Sequence, residues 1–125
     1  MKALLDTRVF LWLLVEPERI AAKVRRALED PAHTVFVSVV SGWEIEIKRA
    51  LGKIQAPANL TGSVQALRFT ELPLQFRHVR ELARLPDRHG DPFDRMLIAQ
   101  ARADGLTLVT HDRDIIGYPV KTMPV

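Results

Sequence analysis

The chain has 125 residues with a formal net charge of +3 at pH 7, and 47% of its residues are hydrophobic and 26% charged. These values suit one soluble domain with one core, and the absence of cysteine excludes disulfides and thiolate metal sites. No apolar run approaches the roughly 20 residues of a membrane helix, and Asp6 and Arg8 interrupt any leader-like start, so we expect a cytoplasmic protein without membrane contact.

Strands and helices alternate through the first half of the chain. A short apolar strand stops at Asp6, and Thr7 is the predicted cap of a strongly apolar helix that Pro17 breaks. Either Ser38 or Ser41 caps the third helix, which Gly52 stops. The predicted elements are strand 3–5, helix 8–15, helix 18–29, strand 34–37 and a helix to about residue 51.

The second half continues the same alternation. The predicted elements are helix 60–68, strand 69–72, helix 75–85, a helix from 92 to 104, strand 106–110 and an edge strand at 118–121, where Pro119 is tolerable. Alternating strands and helices predict an α/β fold with a central, mostly parallel sheet covered on both faces. The whole chain, 1–125, is predicted to be a single domain.

Residues 90–114 carry the clearest local signals. Asp91 is a good N-cap, Pro92 suits the first helical position, and Gly105 suits a left-handed helix end. The apolar run 106–110 then leads to Asp112. Ligands of parallel α/β sheets bind beyond the carboxyl ends of the strands, which makes Asp112 a candidate site residue.

Glu44 has two interpretations. The segment from Ser41 to Glu44 matches a capping box. Against this, a stripe at three- to four-residue spacing predicts a core-facing side made of Val40, Glu44, Ile47 and Leu51, with Glu46 facing solvent. A buried carboxylate is costly unless it is paired or binds a cation. We therefore favour a site role for Glu44, with Lys48 or Arg8 as its possible partner.

Three further acids raise the same question. Asp94 shares an inward stripe with Leu97, Ile98 and Ala101, which leaves Asp91 as the cap of that helix. Asp6 either interacts with the N-terminus of the following helix or belongs to a site. Asp112 ends a buried strand, but Asp114 is close enough in the sequence to take its place.

The expected closeness of the four acids favours a site over separate capping roles. Two strand ends and two helix N-termini offer Asp6, Glu44, Asp94 and Asp112 to one edge of the predicted sheet. Carboxylates this close repel one another unless a cation is present. Oxygen ligands without Cys or His spacing select Mg²⁺ or Mn²⁺, and such ions can activate a water and stabilise the leaving oxygen of a phosphodiester.

Other residue types offer little chemistry. We expect three histidines, His33, His78 and His89, in turns or on a helix surface, whereas His111 adjoins Asp112. The aromatic residues Phe10, Trp12 and Trp43 are predicted to be core or interface residues. The six scattered glycines form no phosphate-binding loop.

The chain resembles the PIN-domain family, specifically the VapC-like toxins of bacterial toxin–antitoxin pairs. The resemblance rests on LLDTRVFLWLL, VSVVSGWEIEIKRALGKI and DPFDRMLIAQARADGLTLVTHD, in family order and across nearly the whole chain. It implies an α/β/α fold and a Mg²⁺- or Mn²⁺-dependent endoribonuclease, and its acidic site falls on Asp6, Glu44, Asp94 and Asp112. Thr110 matches a hydroxyl position of the family, and Asp91 belongs to the motif.

The resemblance also implies partners. These are an RNA substrate, a cognate antitoxin whose tail occludes the site, and a second toxin copy in a homodimer. Candidate phosphate contacts are Lys48, Arg49, Lys53 and Arg95, and a candidate protein-contact patch includes Phe10, Trp12 or Leu13. Two alternatives stay open, namely a catalytically silent PIN domain that binds RNA or sequesters an antitoxin, and a receiver-like phosphoacceptor domain.

Overall fold

Five parallel strands form one sheet in the computed structural model, which describes residues 1–88 and 90–125. The order across the sheet is β3-β2-β1-β4-β5. The strands are β1 (Lys2–Leu5), β2 (Thr34–Ser38), β3 (Thr70–Leu72), β4 (Thr107–Thr110) and β5 (Thr122–Pro124). The predicted parallel α/β architecture is confirmed.

Helices cover both faces of this sheet. They are α1 (Thr7–Val15), a 3₁₀ turn at Pro17–Arg19, α2 (Ala22–Glu29), α3 (Val39–Ala50), α4 (Leu60–Ala66), α5 (Phe76–Leu82), α6 (Pro92–Asp104) and α7 (Arg113–Ile116). Successive strand side chains point to opposite faces, so Leu4 joins the core beneath α6 whereas Ala3 and Leu5 join the core beneath α1. No helix among the described residues is long and apolar enough to cross a membrane.

The sheet topology fixes where a site can form. The chain passes from β1 outward through β2 to β3, then returns to pair β4 with the other side of β1. Strand order therefore reverses between β1 and β4, and crevices at such switch points bind ligands. The order also differs from the 2-1-3-4-5 order of receiver-like sheets, which removes the structural basis for a phosphoacceptor domain.

Several predicted element ends are wrong for local reasons. Asp6, not Thr7, caps α1, because the Asp6 carboxylate accepts a hydrogen bond from the Val9 backbone N–H. The predicted helix 18–29 begins only at Ala22, after the 3₁₀ turn and the buried Ile20.

The predicted edge strand at 118–121 is also wrong. Asp112 caps the short helix α7, Tyr118 turns into the core, and the edge strand forms at Thr122–Pro124 instead. The ends of α6 are as predicted: Asp91 caps its start, and Gly105 adopts a left-handed φ of 66° after its end.

Candidate functional site

An acidic pocket of about 190 Å³ opens at the switch point of the sheet. Its lining includes all four carboxylates predicted to converge, which are Asp6, Glu44, Asp94 and Asp112. Asp6 follows β1, Glu44 lies in the second turn of α3, Asp94 lies in the first turn of α6, and Asp112 follows β4. Because α6 leads into β4 through the turn at Gly105, its N-terminus returns to the carboxyl edge of the sheet.

Asp6 has a structural role as well as a place in the pocket. Its Oδ1 accepts a hydrogen bond from the Val9 N–H at 2.7 Å, and its Oδ2 accepts one from the Thr110 hydroxyl. Burial raises the pKa of Asp6 above its ordinary value, although the hydrogen bonds from Thr110 and Val9 and the charge of Arg8 oppose this effect. The carboxylate is therefore held in one orientation at the floor of the pocket.

Glu44 is buried, as its position on the predicted stripe indicated. Lys48 Nζ donates to Glu44 Oε2 at 2.5 Å, which confirms the predicted partner one turn on. Among the described residues, the buried Glu44 Oε1 has no hydrogen-bond partner. A buried acceptor without a donor is costly, so this oxygen is suited to a ligand that enters the pocket.

The rest of the α3 prediction is only partly right. Ser38, not Ser41, caps the helix, and Ser41 instead accepts a hydrogen bond from Thr7 at 2.9 Å. The capping-box interpretation of Glu44 therefore fails. Ile47 and Leu51 are 36% and 63% exposed, because only the first half of α3 packs against buried neighbours.

Asp94 is the most perturbed acid of the pocket. Burial raises its pKa to about 7, and the negative charges of Asp91, Glu44, Asp112 and Asp6 add to the shift. The position in the first turn of α6 would ordinarily favour an anion. Repulsion and burial therefore outweigh the helix dipole, and Asp94 gains from any cation that comes close to it.

The pocket contains Asp112 and not Asp114. Asp112 lines it and raises the pKa values of Asp6 and Asp94 through its charge, whereas Asp114 lines only the neighbouring cavity. The Asp112 N–H donates to Thr110 Oγ1 at 3.0 Å, and its Oδ1 accepts from the Asp114 N–H at 2.8 Å. Geometry thus favours Asp112 as the fourth acid.

The four candidate phosphate contacts have different surroundings. Lys48 lines the acidic pocket, as Arg8 also does, whereas Lys53 is exposed beyond α3 and Arg95 lines the neighbouring cavity. Arg49 is engaged elsewhere, because its guanidinium donates to the carbonyls of Ala56 at 2.6 Å and Pro57 at 2.9 Å.

The histidine predictions also divide. His111 lines the acidic pocket, and Trp12 packs edge-on against it at 5.5 Å. His78 is fully buried, contrary to the predicted helix surface, because it pairs with Asp104. His89 lies outside the described residues.

The donor set of the pocket fits a hard divalent cation. Within residues 1–88 and 90–125, no three His, Asp or Glu side chains are already arranged as ligands of a metal ion. The four carboxylates nevertheless share one pocket, Glu44 Oε1 lacks a donor, and the mutual repulsion at Asp94 is of the kind that a cation relieves. The four carboxylates supply only oxygen donors, which match Mg²⁺ or Mn²⁺ rather than zinc.

Fold and site together define a parallel α/β domain with an acidic pocket at the topological switch point. The model of the PIN domain family matches residues 3–121, so the chain belongs to that family. Ribonuclease VapC22 of Mycobacterium tuberculosis is 29% identical over 121 residues, which cover 88% of this chain and 86% of that protein.

Solved structures agree on the fold. A chain of VapBC2 from Rickettsia felis, crystallised with a DNA fragment from their promoter, gives a TM-score of 0.75 at 14% identity, covering 99% of this chain and 98% of that one. DNA-bound VapBC from Salmonella typhimurium gives 0.71 at 18% identity, with coverage of 99% and 98%. FitAcB from Neisseria gonorrhoeae gives 0.67 at 23% identity, with coverage of 98% and 96%.

Proposed function

We propose that the protein is a Mg²⁺- or Mn²⁺-dependent endoribonuclease and the toxin of a type II toxin–antitoxin pair. The observation that carries the proposal is the pocket of four carboxylates, in which the pKa of Asp94 is raised to about 7 and Glu44 Oε1 lacks a donor. The similarity to Ribonuclease VapC22 supports RNA as the substrate.

Each acid has a proposed role in hydrolysis of the phosphodiester. Asp6 and Asp94 are the principal metal ligands, Glu44 completes the ligand set or orients the attacking water, and Asp112 assists. When bound, the ion supplies charge for the phosphoryl oxygens and lowers the pKa of water. Asp6 suits its role because Thr110 and Val9 fix its orientation before anything binds.

The test compares four proteins on total RNA with Mg²⁺, with Mn²⁺ and with EDTA. They are the wild type, Asp94→Asn, Asp112→Asn and, as the matched control, Asp114→Asn. We expect discrete cleavage that requires metal, is lost in the first two variants and persists in the control. Asp114 is the right control because it is two residues from Asp112 yet outside the acidic pocket.

Other outcomes have definite meanings. RNA binding without cleavage in all four proteins favours the catalytically silent PIN domain. Cleavage that survives both EDTA and Asp94→Asn removes the acidic pocket from the proposal. Loss of cleavage in Asp114→Asn and retention in Asp112→Asn would exchange the roles of these two residues.

Partner binding completes the proposal: an antitoxin covers the pocket, and two copies form a homodimer. Phe10 is buried and leaves the predicted patch, whereas Trp12 is only half-buried. A larger apolar stripe runs along the outer face of α3 at four-residue spacing, made of Val39, Trp43, Ile47 and Leu51, each at least 36% exposed. Exposed apolar patches of this kind mark protein contacts.

Light scattering and antitoxin co-purification test the two surfaces separately. We expect Trp43→Ala, which removes a side chain of a residue that is 60% exposed, to weaken self-association. Trp12→Ala, which removes the ring that packs against the pocket-lining His111, should weaken antitoxin binding. Unchanged self-association and unchanged antitoxin affinity in both variants would reject these surfaces.

A further inference from the structure

A second cavity of about 390 Å³ adjoins the acidic pocket. Three aspartates line both and so form their common boundary: Asp91, Asp94 and Asp112. Away from this boundary, the described residues that line only the second cavity include three arginines, Arg88, Arg95 and Arg113, against one acid, Asp114. The character of the surface therefore changes from anionic to mainly cationic across a single row of carboxylates.

The cationic side is a packed structure. The Arg88 guanidinium lies 4.9 Å from the centre of the Tyr118 ring, and the Arg95 guanidinium lies 5.9 Å from it. Arg95 Nη1 also donates to the Tyr118 hydroxyl at 3.0 Å and to the Pro86 carbonyl at 2.9 Å. Stacking of guanidinium on an aromatic ring holds the cation in place while leaving its charge undiminished.

Glycine at two positions lets this packing form. A Cβ at Gly117 would come within 3.3 Å of Arg88 Nη1, which donates to the Gly117 carbonyl at 2.8 Å. A Cβ at Gly90 would come within 3.3 Å of the Tyr118 hydroxyl. Both contacts are tighter than is usual for a real Cβ, so a larger residue would displace the arginine or the tyrosine.

Arg88 and Arg113 are exposed, and these two arginines are therefore open to a ligand. Arg95, by contrast, is half-buried and held by its hydrogen bonds, and Tyr118 is only 8% exposed. The Arg88 guanidinium lies over the Tyr118 ring and the residue is exposed, so it is accessible to a base or a phosphate.

The charge arrangement favours an extended polyanion over a small anion. Arg8 and Lys48 line the acidic pocket but not the second cavity. Cations therefore occur in both cavities, and a strand with its reacting phosphate over the acids can extend from one group of cations to the other. Backbone contacts of this kind position a nucleic acid and supply affinity.

We propose that the second cavity is a subsite for a nucleotide flanking the scissile phosphate of single-stranded RNA, with Arg88 and Arg113 as its contacts. The inference rests on the proposed function for the scissile phosphate, but the binding step does not require cleavage. Asp114 opposes the strand within the same cavity. Removing an arginine charge should therefore weaken RNA binding, and removing the Asp114 charge should strengthen it.

The test uses the full chain, a labelled single-stranded oligoribonucleotide of mixed sequence and fluorescence anisotropy in EDTA, so that binding is measured without hydrolysis. The variants are Arg88→Gln with Arg113→Gln, Asp114→Asn and the control Arg84→Gln. Arg84 is an exposed arginine on the same connection that pairs with Glu81 and lines neither cavity. A base-paired form of the same sequence serves as the second probe.

For the double arginine variant we expect roughly tenfold weaker binding and a salt dependence shallower by about 0.7 for each phosphate that is no longer neutralised. Asp114→Asn should bind more tightly, Arg84→Gln should match the wild type, and the duplex should be insensitive to the arginines. A loss in Arg84→Gln that is half or more of the loss in the double variant, on a logarithmic scale, would overturn the subsite. Arg84→Gln removes one charge and the double variant removes two, so net charge alone would then explain the effect.

Cleavage in Mg²⁺, measured on the same proteins, separates the two proposals. Cleavage by the wild type with unchanged RNA affinity and KM in the double variant overturns the subsite and leaves the nuclease in place. Arginine-dependent RNA binding without cleavage in any protein supports the subsite and overturns the nuclease. An absence of RNA binding by the wild type overturns the subsite directly.

Discussion

The two ends of α6 each carry a partly buried aspartate, and the pKa values of these two residues are shifted in opposite directions. At the N-terminal end, burial and four neighbouring acids raise the pKa of Asp94 to about 7. At the C-terminal end, hydrogen bonds from Arg77 and His78 hold the pKa of Asp104 below its ordinary value. The helix dipole predicts the reverse order, because it favours an anion at the N-terminus and disfavours one at the C-terminus.

Pairing explains the behaviour of Asp104. Arg77 donates to both of its oxygens, at 2.8 and 3.1 Å, and the buried His78 Nε2 lies 3.0 Å from Oδ2. His78 Nδ1 accepts from the Gln75 N–H at 3.0 Å, which fixes Nε2 as the protonated nitrogen facing Asp104. This end of α6 is a satisfied network that ties α6 to α5.

The comparison shows that one helix can carry a stabilising acid and a destabilising acid at once. Asp104 is surrounded by donors, so it contributes to the fold. Asp94 is surrounded by acids, so it costs stability, and the proposed cation is what offsets that cost. Such a division is expected where a site is built for binding rather than for folding.

The largest expected difference between the two aspartates is in the rate of RNA cleavage. Asp94→Asn should lower metal-dependent RNA cleavage by about 100-fold or more, because it removes a proposed ligand of the cation that would stabilise charge in the transition state. Asp104→Asn should leave kcat within about threefold of the wild type at a temperature where both proteins are folded, since Asp104 lies outside the acidic pocket. Initial rates on a defined RNA measure both, and equal losses would contradict the division.

The next effect concerns the free energy of unfolding. Asp104→Asn should destabilise the protein by about 1–3 kcal/mol, because hydrogen bonds to a charged group are removed. Asp94→Asn should be neutral or stabilising in EDTA, because it removes a repelled charge. Urea unfolding at pH 7 measures both, with the exposed Asp87→Asn as the control. Destabilisation by Asp94→Asn equal to that of Asp104→Asn would show that the pocket acids support the fold after all.

The pH dependence of metal binding should also distinguish Asp94 from Asp104. Because the pKa of Asp94 is raised to about 7, a proton competes with the cation below that pH. The stabilisation by saturating Mg²⁺ or Mn²⁺ in thermal unfolding should therefore be large at pH 8 and small at pH 5.5. Apparent metal affinity should fall by up to about tenfold per pH unit below 7. Asp94→Asn should lose this pH dependence, and Asp104→Asn should retain it.

A further effect is the pH dependence of the free energy of unfolding in EDTA. Since the folded-state pKa of Asp94 exceeds its ordinary value, the native state binds the proton more tightly, and stability falls as pH rises from about 4 to about 7. The slope cannot exceed about 1.4 kcal/mol per pH unit for one group. Asp104 behaves oppositely: its contribution is present above its ordinary pKa of 3.8 and is lost only as pH falls below it. A slope unchanged in Asp94→Asn would assign the effect to another residue.

The sequence predicts Asp94 and Glu44 well because both lie on local helical stripes whose period is readable over a few residues. It fails where the deciding contact is distant along the chain. His78 pairs with Asp104 across 26 residues, and neither residue carries a local sign of the other. Ile47 and Leu51 continue an apolar stripe, but whether a stripe is covered depends on where the neighbouring helices end.

Short elements are the other source of error. The helix α7 has four residues, too few for an apolar period, so the segment after β4 resembles an extended edge. From the sequence, Asp112 and Asp114 are two alternatives for the fourth acid. In the structure Asp112 also caps α7, and this places Asp112 in the acidic pocket and Asp114 outside it.

Because the Asp6 carboxylate makes two hydrogen bonds that support the fold, substitutions at Asp6 and at Asp94 should have different effects on stability. Its carboxylate caps α1 and holds Thr110, so a substitution there removes supports of the fold together with a candidate ligand. Within residues 1–88 and 90–125, the Asp94 carboxylate neither caps a helix nor accepts a side-chain hydrogen bond, and its loss relieves repulsion. A substitution at Asp94 should therefore leave the fold intact, whereas a substitution at Asp6 should weaken the fold at the same time as it changes the pocket.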